Sequence, residues 1–251
     1  MKAQFKHSNH AFSLGPFIKC PHSEMIEALS FSGFDFGVVD MEHVFATVHS
    51  LDKLKLAAEA RKFDLIVRIP ANQEEYFKWV LDLGYEYVQV PFVQSKECVQ
   101  KAIKHSQFSP VGERGLCRFV RAAEFSAMDK NDYLANSNKK TKLILQIEGE
   151  TGVKNLDEIL AAGSFYAIFI GPYDLFQSLG IPGDIWNPKV TDYMREIIKK
   201  CKAKGVKVGT FTDTKEGVEF WAQQQIDFLE YGSDLQLLLS GIEKNFSEYK
   251  A

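Results

Sequence analysis

Several ionisable side chains stand where short apolar runs of this chain end. Asp40-Met41-Glu42-His43 follows one run, Arg68 lies near the end of a second, and Gln146-Ile147-Glu148 closes a third. Gly171-Pro172-Tyr173-Asp174 follows a fourth, and Gly232-Ser233-Asp234 comes after the last. Glu148 and Asp174 are the candidate metal ligands: hard carboxylate oxygens with no thiolate nearby suit Mg²⁺ or Mn²⁺ better than a closed zinc site. The competing reading pairs each carboxylate with a base such as Arg68, or uses Asp174 as an N-cap ahead of Leu175-Phe176. His43 suits proton transfer near neutral pH, because an unperturbed imidazole titrates at about 6.5. His7, His10, His22, His49 and His105 have no strand-end setting and read as ordinary. Arg68 is costly among apolar residues unless it meets an anion. That anion is either Glu148 or Asp174 in a buried pair, or a carboxylate or enolate oxygen of a ligand. The Gly171–Asp174 turn opens a helix, and its free N–H groups suit a carboxylate.

These residues need a frame that brings them to one place. Eight β-branched or aromatic runs recur, at 14–19, 36–40, 65–69, 87–91, 143–147, 167–170, 206–211 and 228–231. Most are near-continuously apolar, as parallel strands buried on both faces are. Between them lie segments with helical spacing, such as Leu51-Leu54-Ala58, Phe77-Val80-Leu81 and Val190-Met194-Ile197. Strand-then-helix repeated eight times predicts a (β/α)₈ TIM barrel, and 251 residues suit a single barrel domain over 1–251. An open doubly wound sheet also alternates. Here, however, the first run leads into Lys19-Cys20-Pro21 with no G-x-G-x-x-G loop. In a barrel, active sites form at the C-terminal strand ends, where the ionisable groups above converge. The connection from Lys104 to Lys142 is long. It carries Arg114, Arg118 and Arg121, which face either an acidic ligand or solvent. Ala122 to Leu134 is expected to add helix there, and Asn136 to Lys140 reads as an exposed turn.

Composition removes several classes. Hydrophobic residues make up 45% and charged residues 25%, which fits a globular chain. A net charge of -3 gives no basic field for nucleic acid. Cys20, Cys98, Cys117 and Cys201 form no C-x-x-C and read as reduced thiols of a cytoplasmic protein. No run is long and apolar enough for a membrane helix, and residues 1–10 lack the apolar core of a signal peptide.

Asp40-Met41-Glu42-His43, Val67-Arg68-Ile69-Pro70, Leu81-Asp82-Leu83-Gly84, Gln146-Ile147-Glu148 and Gly171-Pro172-Tyr173-Asp174-Leu175 occur in this order. Together they resemble the HpcH/HpaI aldolase family of metal-dependent pyruvate aldolases, over residues 14–238. The resemblance implies a (β/α)₈ barrel that reversibly cleaves a 4-hydroxy-2-oxo acid to pyruvate and an aldehyde through a metal-stabilised enolate. It implies that Glu148 and Asp174 hold a divalent ion (Mg²⁺ or Mn²⁺, with Co²⁺ a third choice). The backbone of Gly171, Pro172 and Tyr173 would hold the pyruvate carboxylate, bordered by Gln146. Arg68 would steady the enolate oxygen, and His43 would be the base, oriented by Asp40 or Asp82. In relatives the Asp82 position reaches a neighbouring subunit's site. The implied assembly is a homohexamer, a trimer of dimers that exchange their last helix.

The chain departs from the family pattern near the acceptor side. Phe17 stands where relatives carry Trp, Tyr173 and Phe176 replace smaller residues, Cys117 replaces Gly, and Val44-Phe45 follow the Glu-His pair. The expected result is a bulkier, more aromatic pocket mouth, with Phe17 and Tyr173 beside the substrate. Three other readings compete. A Schiff-base aldolase needs a desolvated lysine, and Lys19 is the best placed, since Lys142 and Lys207 sit at strand starts. A CoA-ester lyase resembling the citrate lyase β subunit uses a similar barrel. A non-catalytic oligomeric barrel would have no need of His43, Arg68, Glu148 and Asp174 together.

Overall fold

Eight strands form because the apolar runs have nowhere else to bury both faces. In the computed structural model they are β1 (Ser13–Ile18), β2 (Phe36–Asp40), β3 (Asp64–Arg68) and β4 (Tyr87–Val90), then β5 (Lys142–Ile147), β6 (Ala167–Ile170), β7 (Lys207–Thr212) and β8 (Phe228–Ser233). All pair in parallel in chain order, and β8 returns to β1 to close the barrel. The structure describes residues 12–44, 46–181 and 187–249. Phe45, His7, His10 and the rest of the polar 1–10 stretch lie outside the described residues.

Helices follow every strand. The first four are α1 (Ser23–Phe31), α2 (Val48–Arg61), α3 (Glu74–Asp82) and α4 (Lys96–Ser106). The next four are α5 (Lys130–Lys140), α6 (Glu150–Lys154), α7 (Leu156–Ala161) and α8 (Pro172–Ser178). The last three are α9 (Pro188–Ala203), α10 (Lys215–Gln223) and α11 (Asp234–Phe246). Asp234 ties the closure together: its carboxylate accepts the N–H groups of Lys19 and Cys20, each at 2.9 Å.

Side chains on a strand alternate between faces. One set, including Val39, Val67, Val88, Leu145 and Ile168, joins the large apolar layer with the helices. The other set fills the barrel interior with Phe36, Val38, Ile66, Tyr87, Ile144, Phe169 and Phe228. Phe228 fits because Gly209 of β7 faces it, where a Cβ would lie 2.5 Å from the ring. Two residues further along their strands than Val38, Ile66, Tyr87, Ile144 and Phe228 stand Asp40, Arg68, Gln89, Gln146 and Glu230. All five are buried. The barrel is therefore apolar at its base and polar just below the rim.

The long β4–β5 connection differs from expectation. Arg121–Ser126 is a short 3-10 segment whose Glu124 and Phe125 are left-handed, with φ 50° and 53°, so no single helix spans Ala122 to Leu134. Asn136 to Lys140 is not a turn but the second half of α5. Asp129 caps that helix by accepting from Asn131 and Asp132. Asn138 then pairs with both backbone groups of Phe108, at 2.7 and 2.9 Å, which holds a weakly helical sequence in place.

Candidate active site

A cavity of about 380 Å³ opens among the C-terminal strand ends. Phe17, His43, Arg68, Gln146, Gly171, Pro172, Tyr173 and Asp174 line it, which is eight of the eleven residues that the family resemblance assigns to the site. Lys19, Phe169, Phe211 and Gln236 also contribute, and sequence reasoning gave the last three no role.

Arg68 has a different partner from either one expected. In-register pairing of β2 with β3 sets Asp40 beside Arg68, and both side chains point inward. Arg68 donates from Nε and Nη2 to the two Asp40 oxygens at 3.0 and 2.8 Å, and from Nη1 toward Glu42 at 3.2 Å. Glu148 and Asp174 are thus left free of it. A guanidinium carries five N–H donors, so two remain for a ligand. The guanidinium lies 4.6 Å from the centre of the Phe17 ring, which fixes its plane. Asp40 also accepts from the Lys19 ammonium. Burial works against a charged Asp40, but Arg68 and Lys19 outweigh it and hold the carboxyl well below the usual carboxylate range.

Asp40 holds His43 through its main chain, accepting the His43 N–H at 3.2 Å, rather than through the imidazole. The acid nearest the ring is Glu42, 3.9 Å from Nε2, and the His43 side chain is 62% exposed to the cavity mouth. Asp82 is not at this site. It ends α3, where Arg114 donates to it at 2.7 Å. The other two arginines of the long connection are also engaged elsewhere. Arg121 donates to Asp52, and Arg118 donates to the carbonyls of Ser126 and Met128.

Glu148 does not line the cavity; only 3% exposed, it stands against two residues that do, Gln146 and Gly171. Gln146 donates to its Oε2, and the Phe92 N–H donates to Oε1 at 2.7 Å. Phe92 reaches that position in the left-handed region, with φ 58°, a conformation costing a non-glycine residue about 1–2 kcal/mol. Gly171 gives Glu148 its space: a Cβ there would sit 2.9 Å from Glu148 Cβ and 3.0 Å from Oε2. Burial first, and then the charges of Asp174 and Glu42, push the Glu148 carboxyl up to about 7. Asp174 stands in the first turn of α8, whose N-cap is Gly171, so it is not itself the cap.

This pair fits a divalent cation. Two oxygen-bearing side chains of like charge act on each other, the missing Gly171 Cβ leaves Glu148 its space, and among the described residues no thiolate lines the cavity. Among the described residues, no group of three or more His, Cys, Asp or Glu is placed to hold a metal. Other positions would therefore fall to water or substrate.

The mouth is aromatic, as the departures imply. Phe211 lies 5.8 Å from Phe17 and 5.5 Å from Tyr173, and Tyr173 lies 5.6 Å from Phe176. The Tyr173 hydroxyl donates to Asp213 at 3.0 Å; burial and that carboxylate push its pKa up to about 12.

Fold and site together define a (β/α)₈ barrel enzyme with a carboxylate, guanidinium and imidazole rim. The HpcH/HpaI aldolase/citrate lyase family model matches residues 14–241. A 2-dehydro-3,6-dideoxy-6-sulfogluconate aldolase from Pseudomonas putida is 33% identical, over 90% of this chain and 88% of its own. A 5-keto-4-deoxy-D-glucarate aldolase from Salmonella arizonae is 32% identical, over 89% and 87%. Among solved structures, an HpcH/HpaI aldolase/citrate lyase family protein from Burkholderia cenocepacia superposes with a TM-score of 0.91. It is 27% identical and covers 98% of this chain and 97% of that one. The chain belongs to the HpcH/HpaI aldolase/citrate lyase family, and it is a carbon–carbon lyase of the aldolase kind.

Proposed function

We propose that this protein is a divalent-metal-dependent aldolase that reversibly cleaves a 4-hydroxy-2-oxo acid into pyruvate and an aldehyde. The observation that carries this reading is the convergence of Asp174, Arg68 and His43 on one cavity, with Glu148 held against its Gln146 and Gly171 and under the influence of the Asp174 charge. Glu148 and Asp174 hold Mg²⁺ or Mn²⁺, with Co²⁺ as a substitute. The bound ion supplies a Lewis acid for negative charge developing on the keto oxygen. Gln146 and the Gly171–Tyr173 backbone border the pyruvate unit. His43 takes the 4-hydroxyl proton, the C3–C4 bond breaks to release the aldehyde, and its electron pair passes into the enolate. The free Arg68 N–H groups face the enolate oxygen. A proton delivered to C3 completes pyruvate.

Lys19 is a poorer nucleophile in this site than a desolvated lysine, because its ammonium is ion-paired with Asp40. That favours the metal reading over a Schiff base. The whole chain acts as one barrel domain in the cytoplasm. Among the described residues no helix is long and apolar enough to cross a membrane. A homohexamer built from dimers is supported by the apolar surface that α11 presents: Leu235, Leu238, Leu239, Ile242 and Phe246 are each 43–62% exposed. In that assembly Asp82 faces a neighbouring subunit's site.

The direct test is pyruvate methyl proton exchange in D₂O by NMR, with Mn²⁺ or Mg²⁺ and then with EDTA. It needs no knowledge of the aldehyde. Exchange that requires the metal is expected. Exchange that persists in EDTA with full rate would sink the metal role, and no exchange at all would sink the pyruvate donor.

A further inference from the structure

The barrel interior holds a buried acid that the proposed reaction does not use. Glu230 is wholly buried on β8, and neither of its oxygens has a well-formed hydrogen bond among the described residues. It shares the polar layer with Gln89 of β4 and Gln146 of β5. From there an ordered path leads to the site. Gln89 Nε2 donates to Gln146 Oε1 at 2.8 Å, and Gln146 Nε2 donates to Glu148. An amide has one donor end and one acceptor end. The contact from Gln89 therefore decides that Gln146 turns its N–H, not its carbonyl, toward Glu148. The remaining Gln89 oxygen is buried without a partner. Among the described residues Arg68, Asp40 and Gln89 are the polar groups that act on Glu230 there, and Gln89 is the only amide of the three.

We propose that Glu230 is a positioning residue, which fixes the Gln89 amide so that Gln146 presents its N–H to the metal-binding carboxylate Glu148. Burial raises the Glu230 carboxyl well above its ordinary range, against Arg68 and Gln89, which favour the charged form. A neutral carboxyl can donate and accept at once, as a clamp on an amide requires. The inference rests on the metal reading of Glu148 given above. A buried acid merely balancing the Arg68 charge is the competing role, and it makes different predictions.

Mn²⁺ alone is titrated calorimetrically into wild type, Glu230→Gln, Glu230→Met, Gln89→Met and the Glu230→Met/Gln89→Met double variant, with thermal melts to confirm folding. Glu230→Met and Gln89→Met should each weaken Mn²⁺ binding about tenfold, the lower range for groups that support a metal ligand. The double variant should be no weaker than the worse single one, because both act along one path. Glu230→Gln, which keeps hydrogen-bonding groups and loses the acid, should stay within about threefold of wild type. A metal-free readout is crystallographic: the Gln146–Glu148 contact should persist in wild type and Glu230→Gln, and be lost in Glu230→Met and Gln89→Met. Unchanged affinity in Glu230→Met, losses that multiply in the double variant, or a Glu230→Gln as weak as Glu230→Met would overturn the proposal. Failure of wild type to bind Mn²⁺ would instead sink the metal reading. The Gln146 contact in the metal-free crystals then decides the positioning role on its own.

Discussion

Asp40→Asn separates organisation of the rim by charge from organisation by shape. Asp40 has no exposed surface, and it receives Arg68, Lys19 and the N–H groups of Glu42 and His43. Asparagine keeps the size and one acceptor oxygen. Its other end becomes an NH₂ group aimed at cationic donors. Arg68, 7% exposed, is left with Glu42 as its one ion-paired carboxylate among the described residues. Removing one partner of a buried ion pair costs about 3–5 kcal/mol. The retained acceptor places this case near the lower end, about 3 kcal/mol. For a chain of this size each kcal/mol moves the midpoint by about 2–4 °C, so melting should begin about 6–12 °C lower at neutral pH. Lys19→Met is the comparison. The Lys19 side chain is 28% exposed and sits at the cavity, so its removal should cost about 1 kcal/mol or less. A loss below about 1 kcal/mol for Asp40→Asn, or one equal to that of Lys19→Met, would refute the reasoning.

The same variant carries a pH signature. The folded-state pKa of Asp40 is depressed, so its stabilisation is complete above the unfolded-state value of about 3.9. It is lost as pH falls from there through the folded value. The stability gap between wild type and Asp40→Asn should therefore stay level from about pH 8 to pH 5 and shrink only below about pH 4. A gap that widens on acidification would contradict the assigned charge state. Denaturant titrations across that range measure it.

Two further variants probe the site. Gly171→Ala would set a methyl 2.9 Å from Glu148 Cβ, so it should displace that carboxylate and weaken Mn²⁺ binding at least severalfold, with about 1–3 kcal/mol lost to overpacking; wild-type affinity would show that Glu148 has room to spare. His43→Ala should lower kcat for aldol cleavage by about 10²-fold or more while pyruvate binding changes little, since the ring is mostly exposed and ties down no other element; equal losses in both would assign it a structural role.

The strands were legible because burial on both faces leaves a nearly unbroken apolar run, a pattern that depends on local sequence alone. Asn136 to Lys140 was not. Its helix rests on Asp129 and on Asn138 reaching back to Phe108, thirty residues earlier, and no local propensity records that contact. The same distinction divides the site. His43, Arg68, Gln146 and Asp174 follow from strand ends, because closing the barrel gathers those ends whatever lies between them. Pairing within the site depends on register. Asp40 meets Arg68 because β2 and β3 align them, a relation that the separate motifs do not contain. Gln89 and Glu230 did leave a trace, as single polar residues at inward-facing positions of otherwise apolar runs. Only the alternation of a placed strand shows that they point inward. The acceptor side is furthest from local sequence. Phe17, Tyr173 and Phe211 come from β1, α8 and β7, and their ring contacts set the shape of the mouth. Arg68 apart, the groups assigned to the pyruvate half lie at the ends of the paired strands β5 and β6, while the aldehyde half is enclosed by elements that meet only through tertiary packing. For that reason, changes to the Tyr173 or Phe211 side chain should alter which aldehyde is accepted while metal-dependent pyruvate proton exchange continues.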